Sequence, residues 1–275
     1  MRPSVAPASA LVAAFLMILC GPAFAHDTWL ERTPAATPER PAFVLGTGNQ
    51  YPVFDSLNRL EHLQKSACRA GGVESGPLKV VEPGAESLVI GPDRQLPPAP
   101  RISCWAQLQP FEVELADEIV EFYFKESLPP ASVREAWAAL KARGVGWSER
   151  YVKHARVEWF PDAATEATEP PSPSGMGLDA VMLKPLRAPR VGDEAEFLIL
   201  KDGQPMKGQP IEFRVHHSRL GLWRRTDEQG RVRLTLPSAG RWLLRGIELT
   251  PPSADGQRWQ GLFITLAFDA LPPTR

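Results

Sequence analysis

The sequence predicts a mainly β protein: an N-terminal β-rich domain with a short helical insertion, followed by a C-terminal immunoglobulin-like β-sandwich. Three observations carry that expectation. Most apolar runs alternate with polar residues at period two, as half-buried strands do. Residues 117–143 are the stretch that instead spaces its apolar side chains for helix faces. Residues 161–176 are Ala, Thr, Glu, Pro and Ser with almost nothing apolar, the composition of a linker, which divides the chain into units 26–160 and 177–275.

Residues 1–25 have the three parts of a signal peptide. Arg2 is the basic start, and Ala10 to Cys20 is an apolar core shorter than the roughly 20 residues that span a bilayer. Ala23-Phe24-Ala25 is a small-x-small cleavage site. The expectation is a periplasmic protein with no membrane span after cleavage and His26 as its first residue. The chain holds 31 basic and 32 acidic side chains. That balance gives no reason to expect nucleic acid or an anionic membrane surface as partner. Cys68 and Cys104 remain after cleavage. In an oxidising compartment a disulfide is their simplest reading, closing a loop worth about 4 kcal/mol in the chain-entropy model. A thiolate metal pair is the alternative, without C-x-x-C spacing to support it.

In chain order, Thr33 to Arg40 is proline-rich loop. Phe43-Val44-Leu45 is a short apolar run, and Gly46-Thr47-Gly48-Asn49 reads as a turn. It lacks the third glycine and the following helix of a dinucleotide fingerprint. Leu57 to Lys65 fits either a helix or a strand, with His62 as a solvated surface histidine. Leu78-Val80, Leu88-Ile90, Ile102 to Leu108 and Phe111 to Leu115 read as strands.

Asp117 to Glu126 carries Ile119, Val120, Tyr123 and Phe124 at helical spacing, and Pro129-Pro130 stop it. Ser132 and Glu135 have the spacing of a capping box, Val133, Ala136, Trp137 and Leu140 form a stripe, and Gly144 ends the helix. Tyr151 to Phe160 alternates. Tyr151, Ala155, Val157 and Trp159 point one way with Lys153 among them; Val152, His154, Arg156 and Glu158 point the other, more polar way, which predicts exposed cross-strand pairs there. Beyond the linker, strands near 195–200, 210–217, 232–236, 242–249 and 262–268 alternate with turns at Asp202-Gly203, Asp227 to Gly230 and Ala239-Gly240. His216 and His217 are adjacent on a strand and face opposite sides, so they do not share one ion; His217, on the apolar side, reads as a hydrogen-bonded core histidine.

The chemistry concentrates at His26. A histidine at a free N-terminus presents its α-amine and a ring nitrogen to one cation, and N,O tetragonal sets suit Cu(II) or Ni(II). Asp27 is the candidate third ligand or a group that orients the ring, and His154 the candidate distant ligand, with His62 and His217 behind it. The chain has no G-x-S-x-G elbow, H-E-x-x-H helix or P-loop.

Three sets of residues carry a family resemblance: His26-Asp27-x-Trp29-Leu30; Arg150-Tyr151-x-Lys153-x-Ala155; and Thr226-Asp227-x-x-Gly230-Arg231-x-x-x-x-Leu236 with Gly240-x-Trp242. In this order they resemble a bacterial envelope family of unknown function, DUF4198. Its members are often labelled NikM-like, or periplasmic component of a cobalt/nickel transport system. The resemblance covers essentially the whole mature chain. It implies a β-rich secreted protein ending in an immunoglobulin-like module, with His26 at a family position. Thr28 departs from the family's usual aromatic residue, and Glu248 stands near where many members have a histidine.

The expectation is thus a non-enzymatic periplasmic protein binding a divalent transition metal (Ni, Co or Cu) through His26, Asp27 and His154, as an accessory to an envelope metal-transport system. The alternative is an immunoglobulin-like interaction module that binds protein or glycan without metal, with Trp105, Trp147 and Trp223 as candidate exposed anchors.

Overall fold

The computed structural model describes residues 26–81, 88–253 and 256–274; the signal peptide assigned to 1–25 lies outside them. The chain starts with β1 (Asp27–Arg32), β2 (Phe43–Gly48) and β3 (Ser56–Leu57). A 3₁₀ turn at Leu60–His62 leads into β4 (Leu63–Ala70), followed by β5 (Val73–Glu74), β6 (Lys79–Val80), β7 (Val89–Gly91), β8 (Ile102–Leu108) and β9 (Phe111–Leu115). Helices α1 (Asp117–Ser127) and α2 (Ala131–Ala142) precede β10 (Trp147–Trp159). The remaining strands are β11 (Leu178–Lys184), β12 (Glu194–Lys201), β13 (Gln204–Pro205), β14 (Pro210–Val215), β15 (Leu222–Arg225), β16 (Arg231–Thr235), β17 (Gly240–Thr250) and β18 (Arg258–Ala270).

The fold is mainly β, as predicted, and its centre is a nine-stranded sheet in the order β15-β14-β17-β18-β10-β8-β4-β5, with β9 also paired to β10. Strands from both sides of the expected linker meet in it. β10 and β18 run parallel from Ser148 opposite Arg258 to Glu158 opposite Phe268. The division at 161–176 therefore falls inside one sheet rather than between two. The linker itself is held down: Arg69 donates to the Ser172 carbonyl at 3.1 Å, and Ser174 donates to Asp179 through its backbone N and its Oγ at 2.6 and 2.8 Å.

Period two then sorts the layers. Even-numbered Trp242 and Leu244 of β17 and Ile264, Leu266 and Phe268 of β18 pack against Leu178, Ala180, Met182, Phe197 and Ile199 of the sheet formed by β11, β12, β13 and β16. This is the C-terminal sandwich. Odd-numbered Ala155, Val157, Leu243 and Ala267 turn to the opposite face and pack under Trp29, Leu30, Phe43 and Leu45 of the sheet built from β1, β2, β3, β6 and β7. Farther along that face, Trp147, Ile247, Leu249, Trp259 and Phe263 bury the inner stripes of α1 and α2. Two sheets and a helical pair thus cover a shared middle layer.

Local details revise several expectations. Gly46 and Gly48 belong to β2 rather than to a turn. Their hydrogen side chains admit close neighbours: a Cβ on Gly46 would overlap the Phe54 ring, which stacks on Trp29 with centroids 4.8 Å apart. Ser132 lies inside α2, which starts after Pro130 without a side-chain cap, so the capping box is not used. The helix does end at Gly144, whose φ is +74°, with the Val145 N–H donating to the Leu140 carbonyl. Cys68 and Cys104 are register partners on β4 and β8 and form the disulfide, with Cα atoms 4.0 Å apart. Trp105 and Trp147 are buried, not exposed anchors, and Trp223 is half-buried. β14 ends at Val215, which leaves His217 exposed in a turn instead of in the core.

Candidate functional site

A cleft of about 120 Å³ opens where α1 stops short of β1 on the odd-numbered face of the central sheet. β10 supplies its floor through Glu149, Tyr151 and Lys153, and β18 adds Phe263. β9 contributes Val113 and Leu115, α1 contributes Ile119, Phe122, Tyr123 and Glu126, and His26 stands at the mouth. The placement follows from α1's amphipathic stripe. Val120, Tyr123 and Phe124 turn inward onto Trp147 and Phe263, and that leaves Phe122 more than half exposed along the rim.

Lys153 is the unusual group. It shares a face of β10 with Glu149 and with the apolar Tyr151, Ala155 and Val157. Its ammonium lies 5.6 Å from the centroid of the Tyr151 ring and 5.9 Å from that of Phe263. It donates to the His26 carbonyl at 2.8 Å, and among the described residues no carboxylate lies within 4 Å of it. Burial lowers its pKa to about 8; the field of Asp27 works weakly the other way.

Glu149 sits four residues earlier, also without a cationic contact. Tyr123 Oη donates to one of its oxygens at 3.0 Å and Trp147 Nε1 to the other at 2.9 Å. Burial outweighs both bonds and raises its pKa to about 7, so a neutral carboxylic acid is accessible at ordinary pH. The same burial, with Glu149 beside it, holds Tyr123 well above a phenol's usual range. The cleft therefore combines an unpaired ammonium, a carboxylic acid and aromatic walls.

The expected metal ligands do not converge. Asp27 is buried, and both its oxygens lie on Arg245 Nε, at 3.0 and 2.8 Å; Arg245 also bonds Glu212 at 2.9 Å. His154 is an even-numbered residue of β10, so its ring points away from His26. The alternation along this strand is as expected, but its polar side is dry: β11 and the segment before it bond His154 and Arg156, and Glu158 is buried against Ser103 and Arg101. His154 Nδ1 bonds the Phe263 carbonyl at 2.8 Å and Nε2 accepts the Leu178 N–H at 3.3 Å, so both nitrogens are used. Burial lowers its pKa to about 4. His62 packs edge-on against Phe111. What does face His26 is Asp55, whose Oδ2 is 3.7 Å from the ring Nε2. The set His26, Asp27 and His154 thus does not fit one ion, and among the described residues no three His, Cys, Asp or Glu side chains are grouped to hold one.

Sequence reasoning passed over Lys153 and Glu149 as site residues. The signal was present: a lysine on the apolar side of an alternating strand. Glu248, noted as a departure from the resembling family, is on the other face and pairs with Lys201 at 2.8 Å. No helix among the described residues is long and apolar enough to cross a membrane. A profile of the family described as "Domain of unknown function (DUF4198)" matches residues 23–247. No curated protein matches the chain.

Proposed function

The chain belongs to the DUF4198 family, whose description names no activity, and from its cleft we propose an exported, non-enzymatic protein that binds a small organic carboxylate with an apolar body. The observation that carries this reading is Lys153. A half-buried ammonium facing two aromatic rings, with one backbone carbonyl as its acceptor, has donors left for an anion. Glu149, four residues along the same strand, lines the other end of the cleft floor and, when protonated, adds no negative charge to it. The apolar body of the ligand would lie along Leu115, Ile119, Phe122 and Phe263. The volume suits a ligand near the size of benzene, which an engineered cavity of about 150 Å³ accommodates. Calorimetry of the mature chain with benzoate, hexanoate and their amides tests this. Saturable binding of the acids, weak binding of the amides, loss in Lys153→Met and recovery of the ligand unchanged are expected. Equal affinity for acid and amide would overturn the anion reading.

A second reading is favoured by one contact, the His26–Asp55 approach. Cleavage before His26 would add the α-amine to the ring nitrogen and the Asp55 carboxylate, an N,N,O set suited to Ni(II), Co(II) or Cu(II), with an envelope metal-transport system as partner. Mass spectrometry of the exported product gives its first residue. Metal titration beside a form with one added N-terminal residue then separates the readings. Metal binding that disappears with the added residue supports the second; carboxylate binding unaffected by it supports the first.

A further inference from the structure

The chain's near-zero net charge hides a strongly basic edge hairpin. The turn after β14 and the edge strand β15 that returns from it read His216-His217-Ser218-Arg219-Leu220-Gly221-Leu222-Trp223-Arg224-Arg225: three arginines and no carboxylate. Among the described residues no carboxylate lies within 4 Å of Arg219, Arg224 or Arg225, whereas nearby Arg214 is matched to Glu212 at 2.9 Å. Arg224 and Arg225 donate to the backbone carbonyls of Trp223 and Gly208, at 2.8 and 2.9 Å, and both are exposed. Leu220, at the turn, is 82% exposed, above every other large apolar side chain among those described. Ser218 Oγ accepts the Leu220 N–H at 3.1 Å, which fixes the turn that holds the leucine out.

We propose that this hairpin edge docks the protein on an anionic phospholipid surface, with Leu220 at the turn entering the interface, and with Arg219 beside it and Arg224 and Arg225 on opposite sides of the edge strand farther down taking lipid phosphates. Charge complementarity is the argument. Guanidinium groups match phosphate oxygens in pairs, and Trp223 beside them is a residue type enriched at the headgroup level. The shape favours a bilayer over a folded protein partner. One leucine projecting from the turn of an edge hairpin offers far less than the roughly 800 Å² per side of a stable protein interface, but it fits shallow insertion combined with phosphate contacts. The inference is independent of the cleft, which lies on other strands.

Sedimentation of the mature chain with vesicles of phosphatidylcholine alone, or with 30% phosphatidylglycerol, tests the proposal at roughly 0.1 M salt, where surface charge is still felt. Binding to the anionic vesicles should exceed binding to the neutral ones by at least about tenfold. R224Q with R225Q should lower it by about fivefold per arginine, and Leu220→Ser by about tenfold. All three changes are at exposed positions, and unchanged thermal melting verifies that they act on binding. No preference for anionic vesicles overturns the proposal. So does binding that falls in the arginine variant but is unaffected by Leu220→Ser, which would point to an acidic macromolecule held by charge alone.

Discussion

β10 treats charge differently on its two faces. On the even-numbered face, Arg156 Nε bonds Glu158 at 2.7 Å and Nη1 reaches Asp179 at 3.2 Å, while Ser103 donates to Glu158 at 2.6 Å. All of these side chains are almost fully buried, and every charge has an opposite charge in contact. On the odd-numbered face Glu149 and Lys153 have hydrogen bonds but no counter-charge in contact. Removing an ion from water without a partner is expensive, and the protein meets that cost by shifting both pKa values toward neutrality. The closed network is scaffold; the open pair is where an added ligand has something to gain.

The largest expected effect breaks the closed side. Arg156→Leu leaves Glu158 and Asp179 buried without their cation and should destabilise the fold by about 3–5 kcal/mol in urea unfolding. Lys153→Met removes a cation that lacks such partners. It should leave stability unchanged or raise it by about 1 kcal/mol while abolishing carboxylate binding. Equal destabilisation by the two changes would erase the distinction between the faces.

Next in size is a pair of opposed pH slopes, each worth up to about 3 kcal/mol. Glu149 has its folded pKa raised from 4.5 to about 7. The folded state then keeps a proton that the unfolded state releases, so its contribution to stability falls as pH rises from about 4.5 to 7. His154 has its folded pKa lowered from 6.5 to about 4. There the unfolded state binds the extra proton, so that contribution rises with pH over about 4 to 6.5. The two slopes oppose each other in the parent chain. Glu149→Gln should expose the rising one, and His154→Gln the falling one, in chemical unfolding measured at pH 4 to 7.5. A profile unchanged from the parent's in both variants would mean that neither group is held as its burial implies.

The same strand shows how much was legible in the sequence. Period two assigned each residue of β10 to a face and left Lys153 among the apolar ones, a signal that pointed to the cleft but was not taken up. It could not say that the polar side would be dry, because burial there is imposed by β11 and the docked linker, more than 20 residues away for the Asp179 contact. The helical pair was legible from its spacing, and the disulfide from compartment logic. The shared sheet was not: the parallel pairing of β10 with β18 joins segments about 110 residues apart, and nothing in either segment names its partner. His26 was chosen for its chemistry, and the structure does put it on the rim of the cleft. Asp27 and His154 were chosen by proximity in sequence and by residue type, and both are instead satisfied inside the scaffold.

The smallest expected effect sharpens the contrast most, because its sign carries the information. Glu126 lines the cleft mouth from the last turn of α1, half-buried. With a plain carboxylate such as hexanoate bound, its charge opposes the ligand, and Glu126→Gln should strengthen binding by about twofold to fivefold, less at high salt. With a ligand that carries an ammonium beside its carboxylate, Glu126 supplies a counter-charge, and the same substitution should weaken binding by a similar factor. Calorimetry of parent and variant with hexanoate and with 6-aminohexanoate gives both signs in one experiment. If the two ligands respond alike, Glu126 is only a solvated rim residue, and Lys153 is left as the open charge that selects the ligand.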